Sequence, residues 1–257
     1  MRKIHSTAVV DPGAEIGEDV EIGPYCVVGP HARIGAGCRL ISHVVVDGHT
    51  TLGARCEAWP FSCIGTQTQD LKYKGGCPRA EIGEATVIRE YVTISAATFD
   101  GDATRVGSRC LLMASTHVAH DCQLGDEVIL ANCGTLAGHV VLEDQVILGG
   151  LSGVHQFVRI GRLTIVGGCT KVTQDLPPFM MADGNPLEVR AINSIGLKRH
   201  GVTEEAQRLL KTAHRLLYRQ ELSVAQALER IETEVAQSPE VDHLIRFIRN
   251  SERGIAR

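Results

Sequence analysis

A group of histidines in the middle of the chain is the feature that most strongly suggests chemistry. Four of the 11 histidines, His117, His120, His139 and His155, fall within one stretch, and Asp121 directly follows His120. Histidine is the side chain best suited to accept a proton at neutral pH, and a neighbouring carboxylate orients its ring and stabilises the imidazolium. This combination predicts general acid–base chemistry with His120 as the base.

These histidines lie within a six-residue repeat that extends over most of the chain. An aliphatic residue recurs at every sixth position, with Ala58 as the one weak member: Val10, Ile16, Ile22, Val28, Ile34, Leu40, Val46, Leu52, Ile64, Ile82, Ile88, Ile94, Val106, Leu112, Val118, Leu124, Leu130, Leu136, Leu142, Leu148, Val154, Ile160 and Val166. A period of six fits neither an amphipathic helix nor an alternating strand. Glycine often follows the aliphatic residue, and we expect it to supply a turn backbone that other residues resist. Three such units would close a triangular coil of 18 residues, so the repeat predicts a parallel β-helix.

Stacking of these coils would bring the candidate catalytic residues together. Positions 18 apart lie above one another, so His120, Gly138 and Gln156 form one line and Asp121 lies beneath His139. The patch would extend over two coil steps, ~10 Å. The N–H of Gly138, unobstructed by a side chain, could stabilise a developing oxyanion. The arrangement predicts acyl transfer, in which His120 deprotonates a hydroxyl that attacks a thioester.

Two features interrupt or end the repeat. The polar stretches 66–81 and 95–105 keep the phase on either side and are predicted to be loops, which often carry function on a rigid scaffold. Near Pro177 the pattern becomes helical. We therefore predict an all-β domain over residues 1–185 and a small α domain over residues 190–257.

Helix signals support this C-terminal domain. Thr203–Tyr218 carries its apolar residues on one side, Ser223 and Gln226 form a capping box, and Ser238 before Pro239 begins a further helix. Four basic residues on the first of these helices share one face at spacings of three and four; they are Arg208, Lys211, Arg215 and Arg219. This face suits an acidic partner such as a carrier protein, or it is simply a solvated helix surface.

Composition limits the classes of function. The chain of 257 residues has a net charge of −4 and a pI near 6.3, which gives no overall attraction to nucleic acid. Five of its nine cysteines share one phase of the repeat, as small buried fillers would, and no C-x-x-C pair occurs; these five are Cys26, Cys38, Cys56, Cys110 and Cys122. We expect a cytoplasmic protein with no signal peptide, membrane insertion, bound metal or cofactor.

Several motifs resemble one enzyme family. These are His117-Val118-Ala119-His120-Asp121-Cys122, Leu136-Ala137-Gly138-His139-Val140, Val154-His155-Gln156-Phe157, Ser42-His43-Val44-Val45-Val46, Gln69-Asp70-Leu71-Lys72-Tyr73 and Gly196-Leu197-Lys198-Arg199. Together they resemble the UDP-N-acetylglucosamine 3-O-acyltransferases, which make the first acyl transfer of lipid A synthesis. The resemblance covers nearly the whole chain.

The resemblance implies a left-handed β-helix, a homotrimer with active sites between subunits, and a 3-hydroxyacyl donor carried on acyl carrier protein. It implies His120 as the general base, Asp121 as its partner and the Gly138 N–H as the oxyanion donor. It implies contacts to sugar, diphosphate or pantetheine by Gln69, Asp70, Lys72, His117, His139, His155 and Gln156, and to the nucleotide end or the carrier by Asn193 and Arg199.

Some positions matter for specificity. The family commonly has an arginine where this chain has His200 and an acidic residue where it has Ile195, which puts the details of nucleotide contact in doubt. Gly168 matches a position that limits acyl length, and the absence of a side chain there suggests room for a longer chain. The sequence fixes neither the acyl length nor whether the acceptor is a 3-hydroxyl or a 3-amino sugar.

Three other functions stay open on the residues. An acetyltransferase using acetyl-CoA would not need the helical domain with its basic face. The N-acyltransferase of the same pathway would carry an extra N-terminal domain, whereas here the repeats begin by residue 8. A zinc hydratase of the carbonic anhydrase type could use His117, His139 and His155 as ligands across a subunit interface.

Overall fold

Each six-residue unit forms a strand of two residues followed by a tight turn. In the computed structural model, which describes residues 2–257, the second strand residue is the repeated aliphatic one and points into the core, as Leu130, Leu136 and Leu142 do at 0–1% exposure. The residue three positions later adopts φ of about +60°, for example Asp121 and His139. Three units complete one coil, so the predicted β-helix is confirmed.

The strands are short and regularly spaced along the chain. In order they are β1 (Lys3–Ile4), β2 (Val9–Val10), β3 (Glu15–Ile16), β4 (Glu21–Ile22), β5 (Val27–Val28), β6 (Arg33–Ile34), β7 (Arg39–Leu40), β8 (Val45–Val46), β9 (His49–Leu52), β10 (Glu57–Ala58), β11 (Cys63–Thr66), β12 (Arg79–Ile82), β13 (Val87–Ile88), β14 (Thr93–Ser95), β15 (Ala103–Val106), β16 (Leu111–Leu112), β17 (His117–Val118), β18 (Gln123–Leu124), β19 (Ile129–Leu130), β20 (Thr135–Leu136), β21 (Val141–Leu142), β22 (Ile147–Leu148), β23 (Gly153–Val154), β24 (Arg159–Ile160), β25 (Ile165–Val166), β26 (Lys171–Val172), β27 (Met180–Asp183) and β28 (Glu188–Ile192).

Every third strand belongs to the same parallel sheet, so the coil has three faces. Sheet A runs from β1 through β4 to β25 and ends in the antiparallel pair β27 and β28, sheet B runs from β2 to β26, and sheet C runs from β3 to β24. The chain turns a corner between successive sheets. We name these corners the A–B, B–C and C–A edges.

The glycines after the aliphatic residues have a different role from the one expected. Most of them do not adopt a positive φ; the left-handed residue of each turn is usually a non-glycine. A Cβ added to Gly23 would lie 1.7 Å from the Ile41 carbonyl oxygen, and one added to Gly35 would lie 2.6 Å from the Gly53 carbonyl carbon. These positions require glycine because the next coil passes too close for a side chain.

The five cysteines that share one phase of the repeat are free and lie in the core, as expected for buried fillers, whereas Cys77, Cys133 and Cys169 are exposed. The buried cysteines also make weak hydrogen bonds, because the Sγ atoms of Cys38 and Cys56 lie 3.0 Å from the Gly53 and Gly83 carbonyl oxygens. Thr86 occupies the same column and donates its hydroxyl to the Gly107 carbonyl at 2.9 Å. A small donor at this position therefore pairs a carbonyl at the corner of the following coil.

Both insertions leave the coil at the B–C edge. The strand ladder continues to Thr66 and resumes at Arg79, and it continues to Ser95 and resumes at Ala103. The irregular segments are therefore 67–78 and 96–102, shorter than the predicted loops because their ends remain paired with neighbouring strands. We name residues 67–78 the first loop and residues 96–102 the second loop.

The C-terminal part begins later than the sequence suggested, because residues 188–192 form a strand paired with β27. The helices are α1 (Ser194–Arg199), α2 (Glu204–Tyr218), α3 (Val224–Glu234) and α4 (Pro239–Arg249). The predicted capping box of Ser223 and Gln226 and the start of a helix at Pro239 after Ser238 are both confirmed. None of the helices in residues 2–257 has the length and apolar character needed to cross a membrane.

A partly buried histidine–carboxylate pair joins α4 to the coil, with the His243 and Glu143 side chains 32% and 24% exposed. Nε2 of His243 lies 2.7 Å from Oε2 of Glu143, which also accepts the Arg162 N–H at 2.8 Å. Burial by itself raises the pKa of Glu143, but the hydrogen bonds from His243 and Arg162 outweigh it, so this pKa lies below its usual value. The ionised carboxylate therefore stabilises the docked helix.

We expect Glu143→Gln to lower the unfolding free energy at neutral pH by about 1–3 kcal/mol, the size of a hydrogen bond to a charged group. Because the folded-state pKa is depressed, the wild-type contribution is complete above the unfolded-state pKa and is lost as pH falls through the folded-state pKa. The two stability curves should therefore converge in acid, as measured by chemical denaturation across pH. Glu234→Gln, at an exposed pair with Arg230, should change little; equal losses in both variants would contradict the prediction.

Candidate active site

The predicted stacking of the site residues is confirmed. The His139 N–H donates to the His120 carbonyl at 3.0 Å, and the Phe157 N–H donates to the Gly138 carbonyl at 3.1 Å. These residues follow strands of sheet B and precede strands of sheet C. His120, Asp121, Gly138 and His139 therefore form one column on the B–C edge, the same edge from which both loops project.

His120 and Asp121 form a nearly buried pair. Nδ1 of His120 lies 2.8 Å from Oδ2 of Asp121, and their side chains are 17% and 9% exposed. The other carboxylate oxygen of Asp121 accepts the Thr98 N–H at 3.2 Å, and the Asp121 N–H donates to the Thr104 hydroxyl at 2.8 Å. Both the carboxylate and the backbone of Asp121 are therefore held by the second loop and the strand that follows it.

The contacts of His120 determine which ring nitrogen carries the proton. Nδ1 faces the Asp121 carboxylate, which only accepts, and the Thr98 hydroxyl oxygen at 3.1 Å. The Thr98 hydroxyl also lies 3.3 Å from Oδ2 of Asp70, where it must donate. Because that hydroxyl has one hydrogen, it accepts from His120. The proton of a neutral His120 therefore sits on Nδ1, which leaves the Nε2 lone pair free to accept another.

Gly138 lies against the His120 ring. A Cβ at this position would be 2.4 Å from Cε1 and 2.5 Å from Nε2 of His120, which is closer than side chains approach. Only glycine therefore lets the ring occupy its place. The backbone of Gly138 and the reactive nitrogen of His120 consequently lie within one small volume.

The N–H of Gly138 is unused by the fold. It has no hydrogen-bond partner within the described part of the chain. The same position in other turns is occupied by Pro12, Pro24, Pro30 and Pro60, residues that have no N–H. In the turns at Ser108, Asp126 and Arg162 this N–H donates to a carboxylate side chain and not to the backbone. Gly138 has no such carboxylate, so its N–H is available to a ligand.

The remaining histidines surround the pair at different depths. The His139 ring lies edge-on to His120 at 5.2 Å between centroids, and stacks on Phe157 at 4.6 Å. His117 is bonded to the Thr93 hydroxyl at 2.7 Å, and burial lowers its pKa, so it favours the neutral form. His155 is exposed one coil above Gly138, with its Nδ1 3.4 Å from the Arg253 guanidinium.

The first loop reaches the pair through Asp70. Its Oδ1 accepts the Lys72 N–H at 3.0 Å and its Oδ2 contacts Thr98, whereas Gln69 and Lys72 are exposed. The hydrogen bond from the Lys72 N–H is the largest of several effects that lower the pKa of Asp70. A cleft of about 640 Å³ separates the two loops; its lining is Leu71, Lys72, Lys74, Gly75, Thr98, Phe99 and Asp100.

Other predicted site residues lie on different edges of the coil. Gly168 is exposed on the A–B edge, between β25 and β26. Arg199 is exposed at the end of α1, and the next residue, His200, lies 4.0 Å from Glu127 on the C–A edge. The basic face of Arg208, Lys211, Arg215 and Arg219 is exposed along α2 and its C-terminal end.

Asn193 also has a role in the fold. It is 3% exposed, its Nδ2 donates to the Leu163 carbonyl at 2.8 Å, and its Oδ1 accepts the Gly196 N–H at 2.9 Å. The side chain therefore caps α1 and positions the helix that carries Arg199; its contact with the ligand stays a prediction.

Sequence reasoning missed Thr98, Thr104, Phe157 and Arg253. Phe157 could have been found, since it follows Gln156 in the same turn and lies 18 positions after His139. Thr98 and Arg253 lie in the second loop and the C-terminal segment, where the repeat assigns no positions. No pattern in the sequence marks them.

One group of side chains could hold a metal ion. Within residues 2–257, ligand atoms of His120, Asp121 and His139 lie within 4.8 Å of one another, and no other such His, Cys, Asp or Glu group occurs. The set proposed for a zinc hydratase, His117 with His139 and His155, does not come together within this one chain. In the group that does, His120 and Asp121 are already hydrogen-bonded to each other, which suits a base and its partner.

Comparison with known proteins identifies the family. Residues 175–256 match the family described as UDP N-acetylglucosamine O-acyltransferase, domain 2, and residues 3–36 match the bacterial transferase hexapeptide family. The acyl-[acyl-carrier-protein]–UDP-N-acetylglucosamine O-acyltransferase of Paracidovorax citrulli is 52% identical, with both chains covered completely.

Solved structures agree along the whole chain. The UDP-N-acetylglucosamine acyltransferase of Bacteroides fragilis superimposes with a TM-score of 0.96 at 37% identity, covering 99% of this chain and 100% of that one. The UDP-N-acetylglucosamine O-acyltransferase of Moraxella catarrhalis gives 0.94 at 40% identity, covering 99% of each chain. The fold is thus a left-handed parallel β-helix with a C-terminal helical part, and the chain belongs to the acyl-[acyl-carrier-protein]–UDP-N-acetylglucosamine O-acyltransferase family of enzymes.

Proposed function

We propose that this enzyme transfers a 3-hydroxyacyl chain from acyl carrier protein to the 3-hydroxyl of UDP-N-acetylglucosamine, the first step of lipid A biosynthesis. Family membership supports the two substrates, since relatives, one of them 52% identical, are named acyl-[acyl-carrier-protein]–UDP-N-acetylglucosamine O-acyltransferases. One observation in this chain carries the proposal: His120 presents a free Nε2 beside the unpaired N–H of Gly138. That pair is what acyl transfer to a hydroxyl needs.

The proposed reaction uses these two groups in sequence. Nε2 of His120 takes the proton of the sugar hydroxyl as the oxygen attacks the thioester carbonyl. The Gly138 N–H stabilises the resulting oxyanion, and Asp121 stabilises the imidazolium through Nδ1. When the tetrahedral intermediate collapses, the C–S bond breaks and the imidazolium returns the proton to the leaving thiolate. The products are an ester and the free thiol of the carrier, and the base is regenerated.

The two loops offer groups for the nucleotide sugar. Lys72 is exposed at the cleft beside Thr98, where an ammonium group suits a diphosphate, and Gln69 is exposed on the same loop. His117, His139, His155 and Gln156 extend the polar column along the coil axis. We infer that Asp70 acts within this site mainly by holding the first loop against Thr98.

We infer that the active enzyme is a homotrimer whose sites are shared between subunits. The predicted ligand contacts occupy three different edges: His120 on the B–C edge, Arg199 by the C–A edge and Gly168 on the A–B edge. One ligand bound at one edge cannot reach all of them. Cyclic packing of parallel coils places one edge of a subunit beside a different edge of its neighbour, which would reunite these residues.

Exposed apolar side chains on the A–B edge support this assembly. Tyr25, Phe61, Tyr91 and Leu151 are 46–68% exposed and lie on that edge, with His43 between the rings of Tyr25 and Phe61 and with Leu151 three coils beyond Tyr91. A column of this kind is unfavourable in water and is typical of a buried contact between chains. Its position next to the predicted acyl-length residue Gly168 is consistent with an acyl pocket between subunits.

The carrier protein is proposed to dock near α2. Arg208, Lys211, Arg215 and Arg219 are all exposed, on a chain whose net charge is negative. Acyl carrier proteins are acidic, so this face provides local complementarity that the whole molecule lacks. A carrier protein and nine free cysteines both suit the reducing cytoplasm, where we propose the enzyme works.

The function is tested with purified enzyme, UDP-N-acetylglucosamine and a panel of 3-hydroxyacyl carrier proteins of increasing chain length. We expect carrier-dependent acylation of the sugar 3-hydroxyl, detected by mass spectrometry and thiol release, and unchanged by a metal chelator. The 3-amino nucleotide sugar and acetyl-CoA are the matched alternative substrates. Preference for either one, or loss of the reaction on chelation, would contradict the proposal.

A further inference from the structure

We infer that Thr98 is a positioning residue for the reaction, which couples the substrate-binding first loop to the proton carried by His120. This inference rests on the proposed function and adds to it a residue outside the repeat. Thr98 lies in the second loop, is 1% exposed and, among residues 2–257, is the one side chain hydrogen-bonded to both His120 and Asp70. Because Thr98 lies between His120 and the first loop, it can position the base.

Thr98 binds the catalytic pair through two separate groups. Its backbone N–H donates to Oδ1 of Asp121 at 3.2 Å, and its hydroxyl oxygen lies 3.1 Å from Nδ1 of His120. Together with the 2.8 Å bond between His120 and Asp121, these contacts close a ring of three residues. The ring fixes the imidazole plane on the side facing away from Nε2.

The direction of the Thr98 hydroxyl depends on Asp70. The Asp70 carboxylate can only accept, so the single hydroxyl hydrogen points to it and the oxygen is left to accept from Nδ1–H. The Lys72 N–H, which bonds Oδ1 of the same carboxylate, holds Asp70 in this orientation. If the hydroxyl turned toward Nδ1 instead, its hydrogen would oppose the Nδ1–H that the Asp121 carboxylate holds, and the imidazole would be pushed out of alignment.

The first loop therefore influences the base without touching it. On that loop Gln69 directly precedes Asp70, and Lys72 lies two residues after it. Because the Lys72 N–H bonds the Asp70 carboxylate, a ligand that orders Gln69 and Lys72 also orders this carboxylate. The Thr98 hydroxyl lies 3.3 Å from Oδ2 of Asp70 and 3.1 Å from Nδ1 of His120, so the orientation of the carboxylate determines the orientation of the hydroxyl at His120. Productive alignment of the base is thus favoured when the nucleotide sugar has closed the loop.

The test compares Thr98→Val, which keeps the shape and the backbone N–H but removes the hydroxyl, with Thr98→Ser, which keeps the hydroxyl. We expect Thr98→Val to lower kcat about tenfold with little change in the KM for UDP-N-acetylglucosamine, as for loss of one hydrogen bond that orients a catalytic group. Thr98→Ser should restore kcat to within about twofold of wild type. Thr86→Val is the matched control, because it removes a buried threonine hydroxyl on another edge; it should lower stability and leave kcat unchanged.

A second comparison tests the coupling through Asp70. In Asp70→Asn the amide nitrogen would face Thr98 and reverse the hydroxyl, so kcat should fall further than in Thr98→Val. The double variant Asp70→Asn with Thr98→Val should be no slower than Asp70→Asn alone, because the hydroxyl that reverses is absent. Wild-type kcat in Thr98→Val, or a defect in KM alone, would overturn the inference while leaving the proposed function intact; an inactive wild-type enzyme would instead refute the function.

Discussion

The His120→Ala variant is expected to lose at least two orders of magnitude in kcat, with little change in the KM for the nucleotide sugar. The reason is that the sugar hydroxyl then has no group in place to receive its proton. A positioned general base typically accelerates a reaction by ~10²–10⁴. His120 is partly buried and held through Nδ1 by Asp121 and Thr98, so its Nε2 occupies a position that no other side chain fills in the described structure. Initial rates at saturating acyl carrier protein measure the effect.

Two control variants separate chemistry from packing. His120→Gln keeps a similar volume and a hydrogen bond to Asp121 but lacks a basic nitrogen, so it should be nearly as slow as His120→Ala. His5→Ala removes an exposed histidine that bonds to Thr7 at the N-terminal end of the coil, and it should keep the wild-type rate. Near-normal turnover by His120→Ala would show that another residue is the base.

Much of this site could be predicted because the fold is periodic. The six-residue repeat determines the sheet on which each residue lies, and the 18-residue spacing alone predicts that His120, Asp121, Gly138 and His139 share one edge, as they do in the structure. The same arithmetic places Gly168 twelve positions after Gln156, hence on another edge. The sequence spacing therefore already predicts that Gly168 and Gln156 lie on different edges of the same subunit.

The six-residue repeat does not predict the positions of residues outside it. Thr98 lies in an insertion whose path depends on its own hydrogen bonds, and a buried threonine in a loop has no distinctive pattern. Asn193 is predicted to contact the ligand, but the repeat does not predict that its amide also caps α1, a use that depends on where the helix meets Leu163. Turn glycines were expected to serve left-handed backbone, but close packing of successive coils explains most of them.

The Gly138→Ala variant is expected to reduce kcat by about 10²–10³ while leaving the fold intact. The new Cβ would lie 2.4–2.5 Å from His120 ring atoms, so the ring must move and its 2.8 Å bond to Asp121 is lost or distorted. Loss of one pre-organised group in an oxyanion-binding active site typically lowers kcat by about 10²–10³. Gly153→Ala is the control, because a Cβ there meets nothing within 4 Å. Circular dichroism and thermal unfolding should show both variants folded.

The effects of His120→Ala and Gly138→Ala on kcat are not independent. The double variant separates two roles of Gly138, which are to leave room for the His120 ring and to bind the oxyanion. If Gly138 serves only to make room for the ring, adding Gly138→Ala to His120→Ala should cause no further loss, since the ring is already absent. A further loss would measure obstruction of the oxyanion by the new methyl group, because the alanine N–H itself remains. We expect a further loss of several-fold, smaller than in the wild-type background. A wild-type rate for the single Gly138→Ala variant would show that the ring and this backbone do not act together.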